Sequence, residues 1–184
     1  MNNVAHKIDI FLQPGDWYFG TRDTRIRTVL GSCISLTFWH PRLLIGGMCH
    51  FMVPQRAFER RHCGDASSLD GRYADEAIEL LAGEMRNIGA PLREYQVKLF
   101  GGGNMFPGQL RGHNSIGQKN IETAHGLISK YGFNSVAEHL GSNGHRNVIF
   151  DIDSGNVWMR HVRIQMTDLG AGKVDRRMQC PEYA

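Results

Sequence analysis

Two apolar runs, rich in β-branched and aromatic residues, follow one another closely between residues 27 and 54. The first reads "RTVLGSCISLTFWH" and the second reads "RLLIGGMCHFMVP". This composition is typical of β-strands, and Gly31 predicts one strand, or two short ones, with a tight turn just before Cys33. The short turn at His40-Pro41 predicts that the two runs pair antiparallel. That pairing would bring the residues around Cys33 near residues 49–53.

The rest of the chain predicts two helices and further strands. "YADEAIELLAGEMRNIGA" carries apolar residues at helical spacing and ends at Gly89, and Ser115 is the predicted N-cap of a second helix from Ile116 to Gly132. Strands are predicted at "YQVKLFGGGNMF", "NSVAEHL", "RNVIFDI" and "NVWMRHVRI". Strands outnumber helices and often follow one another directly, which favours an α+β domain over a doubly wound sheet.

Length and composition limit the class of protein. A chain of 184 residues with 41% apolar residues predicts one globular domain, placed here at residues 1–164, with an irregular extension at 165–184. A net charge of +3 is too small to indicate nucleic-acid binding. Without a secretory signal or an apolar run long enough to insert in a membrane, the chain is expected in the cytoplasm. Four cysteines in such a chain do not indicate a disulfide framework.

Cys33 is a candidate nucleophile because of the residues that precede it. A cysteine attacks as a thiolate, so its ordinary pKa of about 8.5 must be lowered by a cation or by aligned backbone N–H groups. Glycine permits a sharp bend in "GSC", and the amides of Ser32 and Cys33 could then point to one spot beside the sulfur. They would stabilise both a thiolate and a tetrahedral oxyanion. A small buried thiol is the alternative interpretation.

His50 is the candidate base for Cys33. The predicted strand pair folds it back toward the cysteine, and it lies at the end of the apolar stretch "GGMCHFM". The competing interpretation is a half-buried histidine that donates to a backbone carbonyl, and spacing alone favours that interpretation.

A metal site and a nucleotide site are the competing interpretations of the cysteines, histidines and glycines in these segments. Cys49-His50 and His62-Cys63 supply four potential ligands, but adjacent strand residues point to opposite faces and no C-x₂₋₄-C pattern is present. The run "FGGGNMF" lacks the lysine and hydroxyl of a phosphate-binding loop, so it predicts a close backbone crossing instead. No metal or organic cofactor is therefore predicted.

Several segments, in order, resemble the CheD chemoreceptor glutamine deamidases. They are "TVLGSCISL", "GGMCHFMVP", "GRYADEAIELL", "KLFGGGNMF", "IGQKNIE" and "VAEHLGSNGHRNVIFDIDSGNVWMR". The resemblance implies a cysteine hydrolase that converts glutamine side chains of bacterial chemoreceptors to glutamate and releases ammonia. It implies Cys33 as nucleophile, His50 as general base and Thr28 as the residue that orients His50. It also implies a mixed β-sandwich with flanking helices, similar to deamidating bacterial toxins.

The same resemblance implies partners. They are the cytoplasmic domain of a chemoreceptor and a CheC-type phosphatase, so an adaptor without catalysis is the alternative function. The long polar segment from Gln55 to Gly71 carries Arg56, Arg60 and Arg61, which we expect to contact the glutamate-rich surface of receptor helices.

Overall fold

The computed structural model describes residues 7–56, 69–105 and 115–164, and these ranges contain nine strands and two helices. A short 3₁₀ turn at Leu92–Glu94 precedes the sixth strand. The elements in chain order are β1 Ile8–Phe11, β2 Trp17–Thr21, β3 Thr24–Leu30, β4 Ile34–His40, β5 Ile45–Phe51, α1 Ala74–Ile88, β6 Gln96–Gly101, α2 Ile116–Tyr131, β7 Asn134–Leu140, β8 His145–Asp151 and β9 Val157–Val162.

The strands form two mixed sheets that pack against each other. One sheet has the order β1-β3-β8-β9 and the other β2-β5-β4-β6-β7. The β1–β3 and β6–β7 pairs are parallel and the remaining pairs are antiparallel. Both helices pack on the five-stranded sheet. The predicted α+β fold with a mixed β-sandwich is confirmed, with both helices on one side of it.

Two hydrophobic cores result from this layering. The helix-side core lies between the helices and the five-stranded sheet and contains residues such as Leu36, Ile78 and Leu127. The inter-sheet core lies between the two sheets, where Ile26 and Phe150 pack with Met48. Strands β4 and β5 are buried on both faces, so that even Ser35 and Thr37, the polar residues that alternate with apolar ones on β4, lie in the interior.

Most of the predicted elements are confirmed. The glycine-containing run forms two strands, β3 and β4, separated by a tight turn, and β4 pairs antiparallel with β5. Helix α1 ends at the left-handed Gly89, and the Ser115 hydroxyl caps α2 by accepting from the Gln118 backbone N–H at 3.2 Å. The short strands β1 and β2 at the N-terminus were not predicted.

Strand β3 alternates between core and solvent. Thr24, Ile26, Thr28 and Leu30 face the other sheet, whereas the residues between them point outward. Thr28 is therefore a polar side chain in the inter-sheet core, with only 1% of its surface exposed. No helix in the part of the chain described here is long and apolar enough to span a membrane. The predicted extension at 165–184 lies outside the described residues.

Candidate active site

Gly31, Ser32 and Cys33 form the connection by which the chain passes from one sheet to the other. Strand β3 belongs to the four-stranded sheet, and β4, which begins at Ile34, belongs to the five-stranded sheet. The Cys33 side chain is half-buried and packs against the inter-sheet core that includes Met48. Because Met48 and His50 lie two residues apart on β5, their side chains share a face. Cys33 and His50 therefore lie on the same side of the five-stranded sheet.

The triple glycine crosses directly beside this connection. The Gly102 N–H donates to the Cys33 carbonyl and the Gly103 N–H to the Gly31 carbonyl, each at 2.8 Å. A Cβ atom on Gly101 would lie 2.1 Å from the Cys33 carbonyl oxygen, and its φ of +117° also disfavours a side chain. The glycines thus allow a close backbone crossing, as predicted. They also fix the path of residues 31–33, which we call the cysteine loop.

His50 is held by a hydroxyl from the opposite sheet. Its Nδ1 lies 2.8 Å from Thr28 Oγ1, and the same hydroxyl donates to the Leu12 carbonyl at 2.9 Å. A threonine hydroxyl has one proton, so Thr28 must accept the Nδ1–H of His50. The ring is thereby held as the tautomer whose Nε2 carries a lone pair. Among the described residues this buried Nε2 has no hydrogen-bond partner.

Burial keeps both candidate reactive groups neutral. Desolvation lowers the pKa of His50 to about 4, an effect only partly offset by the Leu12 carbonyl and Asp16. Desolvation also raises the pKa of the Cys33 thiol, against the smaller opposing effect of the Cys33 backbone N–H. At neutral pH the resting pair is therefore a thiol and a neutral imidazole. The resting thiolate expected from the sequence is not what this environment favours.

Cys49 and His50 point to opposite sides of β5. Cys49 lies fully buried in the helix-side core, where desolvation raises its pKa to about 12, so it remains a protonated, inert thiol. His62 and Cys63 lie outside the described residues. Across the described ranges, no cluster of three or more His, Cys, Asp or Glu side chains could hold a metal ion.

Arg56 makes a two-point contact with helix α1. Its Nε and Nη2 donate to the two carboxylate oxygens of Glu76 at 2.9 and 2.7 Å, and its guanidinium lies 5.0 Å from the centre of the Tyr73 ring. Arg60 and Arg61 lie outside the described residues. Contact of these three arginines with a receptor stays a prediction.

Asn120 is a site residue that sequence reasoning missed. It lies on α2, is fully buried, and donates from its carboxamide to the carbonyl of Ser32, the residue before Cys33. The position of Asn120 relative to the apolar residues of α2 could have identified it from the sequence. Asn120 precedes Ala124, Leu127 and Ile128 by four, seven and eight positions, which puts a polar residue on the buried face.

Comparison with known proteins places the chain among bacterial chemotaxis proteins. Residues 52–161 match the family model described as CheD chemotactic sensory transduction. A Pseudomonas savastanoi pv. phaseolicola protein named "Probable chemoreceptor glutamine deamidase CheD" is 46% identical over 180 residues, which are 97% of this chain and 98% of that protein. A Pseudomonas fluorescens protein of the same name is 50% identical over 163 residues, or 88% of this chain and 89% of that protein.

A more divergent relative comes from Leptospira interrogans. This protein, with the same name followed by the number 1, is 39% identical over 158 residues, covering 83% of this chain and 92% of its own length. The family match begins at Met52, so Thr28, Cys33 and His50 precede it. They fall within the segment aligned with the Pseudomonas savastanoi protein, which leaves out only a few residues of this chain.

Proposed function

Because the chain belongs to the CheD family, we propose that it hydrolyses glutamine side chains of bacterial chemoreceptors to glutamate and releases ammonia. The observation that carries this proposal is the hydrogen bond between Thr28 Oγ1 and His50 Nδ1. It leaves Nε2 as an unprotonated base on the side of the sheet where Cys33 lies. A buried histidine with a merely structural role would be expected to have both nitrogens paired.

The neutral pair defines the first chemical step. As the Cys33 sulfur attacks the glutamine carboxamide carbon, the thiol proton passes to His50 Nε2. The C–S bond forms, the carbonyl π electrons move to oxygen, and backbone N–H groups of Ser32 and Cys33 stabilise the oxyanion. When the intermediate collapses, the C–N bond breaks and Nε2–H protonates the departing ammonia. The product of this half-reaction is a thioester on Cys33.

The second half-reaction restores the enzyme. His50 Nε2 removes a proton from water as the water oxygen attacks the thioester carbonyl, and the C–S bond then breaks. The proton returns to the Cys33 sulfur and a glutamate carboxylic acid is released, which ionises in solvent. A nucleophile that must stay a free thiol requires a reducing compartment, so we place the reaction in the cytoplasm. The proposal also includes a CheC-type phosphatase as a second partner.

The proposal is tested by incubating the protein with a purified receptor cytoplasmic fragment. We expect ammonia release and a mass gain, NH₂ replaced by OH, at defined glutamines of the fragment. A fragment incubated without the protein corrects for spontaneous deamidation. If the fragment binds but its mass does not change, the deamidase assignment is wrong and the adaptor function is supported.

The activity should persist well below neutral pH. A protonated imidazole cannot accept the thiol proton, so the rate falls only as His50 becomes charged. Burial lowers its pKa from 6.5 to about 4, and kcat/KM should therefore hold its plateau to about pH 5 and drop toward pH 4. A pH–rate profile measures this fall of kcat/KM at low pH. A half-maximal rate near pH 6.5 would contradict the mechanism in which thiol and imidazole are both neutral.

The fold must be followed over the same pH range. The unfolded chain binds a proton at the ordinary histidine pKa, whereas folded His50 resists protonation. The free energy of unfolding therefore decreases as pH falls from 6.5 toward 4. Circular dichroism at each pH separates loss of structure from protonation of the base.

Replacing Thr28 with valine should lower kcat by about 10²-fold. Valine has nearly the same shape but cannot accept the Nδ1–H, so the imidazole loses its fixed tautomer and orientation. Thr28→Ser retains the hydroxyl and is the matched control, for which we expect most of the activity to remain. Equal activity of the valine and serine variants in the ammonia-release assay would show that Thr28 does not orient His50.

A further inference from the structure

Asn120 lies where helix α2 packs against the glycine crossing. At the start of the helix, a Cβ atom on Gly117 would lie 2.5 Å from the Gly102 carbonyl oxygen, so glycine allows the helix to approach this closely. Asn120 follows within the next turn, and none of its surface is exposed. Helix α2 thus places one buried polar side chain against the side of the cysteine loop that faces the helix.

The Asn120 carboxamide binds two backbone carbonyls, one next to Cys33 in the chain and one close to His50. Its Nδ2 donates to the Ser32 carbonyl at 3.0 Å and to the Met52 carbonyl at 2.8 Å. Ser32 directly precedes Cys33, and Met52 lies two residues after His50. The opposite orientation of the amide would place Oδ1 against two carbonyl oxygens, so these contacts fix the nitrogen and oxygen positions.

The contact with Ser32 sets the direction of the Cys33 amide. The Ser32–Cys33 peptide is trans, since the described residues include no cis peptide bond, and in a planar trans peptide the C=O and N–H point in opposite directions. Asn120 holds the carbonyl toward the helix, so the Cys33 N–H points away from it.

We propose that Asn120 is a positioning residue that holds the Ser32–Cys33 peptide with its N–H directed at the tetrahedral oxyanion. This inference rests on the proposed function, because the oxyanion forms only when Cys33 attacks a carboxamide. The contacts of the carboxamide support it. Within the described ranges its Oδ1 has no partner, and its Nδ2 holds the carbonyl of Ser32, the residue directly before Cys33.

The test compares two reactions of the same sulfur in Asn120→Ala. Deamidation passes through an oxyanion, whereas alkylation of Cys33 by iodoacetamide is a displacement at carbon and forms none. We expect kcat for deamidation to fall about 10²-fold with KM nearly unchanged. The rate of Cys33 alkylation, followed by mass spectrometry of its peptide, should change by less than about threefold because the thiol and its base are retained.

Leu127→Ala is the matched control for helix stability. Leu127 lies on the buried face of α2 in the helix-side core, and its truncation should lower the melting temperature without changing either rate. If Asn120→Ala does not fold, Asn120→Ser replaces it. The serine hydroxyl is too short to hold both carbonyls and is expected to separate the two rates in the same way.

Three results would contradict the inference about Asn120 or the proposed function. Equal loss of deamidation and alkylation would overturn the inference, because Asn120 would then act on the thiol, its base or the fold. Unchanged deamidation in Asn120→Ala would overturn it as well. If wild-type protein alkylates normally but never deamidates a receptor fragment, the proposed function fails and the inference, which rests on it, fails with it.

Discussion

Replacing Cys33 with alanine should abolish deamidation, lowering kcat by at least about 10³-fold. Without the sulfur no thioester can form, and a buried neutral imidazole has no other nucleophile to activate except water. The half-buried position of Cys33 means that alanine removes few packing contacts, so the fold should persist. The measurement is ammonia release from a receptor fragment with wild type and variant side by side.

Cys49→Ala is the matched control for this experiment. Cys49 is a second thiol nearby on β5, but it is fully buried on the helix side of the sheet. Its loss should lower the free energy of unfolding by about 1–2 kcal/mol through the cavity left behind, and activity should be retained. If Cys33→Ala deamidates as well as wild type while Cys49→Ala does not, Cys33 is not the nucleophile.

The β4–β5 hairpin could be predicted because its determinants are local. Two apolar runs and a proline-containing turn specify an antiparallel pair, and that pair alone brings Cys33 near His50. The helices were predictable for the same reason, since apolar spacing, a serine cap and a terminal glycine all lie within one segment. The strands and helices whose determinants lie within one contiguous stretch of chain were thus predicted from the sequence.

The Thr28–His50 contact depends on how the two sheets stack, which periodicity does not encode. Thr28 lies on the four-stranded sheet and His50 on the five-stranded sheet, so their contact requires the whole sandwich. Strand β1 is similarly non-local. It pairs in parallel with β3, and Ile8 and Phe11, on its two faces, are both exposed, so the strand shows no buried stripe in the sequence.

The protonation state of the pair was also beyond sequence reasoning. Amides around "GSC" suggested a stabilised thiolate, but the inter-sheet position removes solvent from both Cys33 and His50. Desolvation disfavours the charged form of each group, which raises one pKa and lowers the other. In the proposed mechanism, proton transfer therefore accompanies attack, so the histidine is required in the first step and not only for ammonia departure.

Replacing His50 with glutamine should lower kcat by about 10³-fold at neutral pH. The glutamine amide can still donate to Thr28, but it cannot accept the thiol proton, so attack must wait for a thiolate formed by solvent. Because burial raises the Cys33 pKa, that thiolate is rare at pH 7. The residual rate should therefore rise about tenfold per pH unit through the alkaline range below the thiol pKa, whereas wild type stays on its plateau.

His40→Gln is the matched control for the loss of a buried histidine. His40 lies on the neighbouring strand β4, is only 2% exposed, and contacts Glu94 at the hairpin end, away from the cysteine loop. Its replacement should lower stability and leave the pH–rate profile unchanged. If His50→Gln gave a rate independent of pH and equal to that of His40→Gln, the base would have to be another group, since only a missing base makes the reaction depend on thiolate formed by solvent.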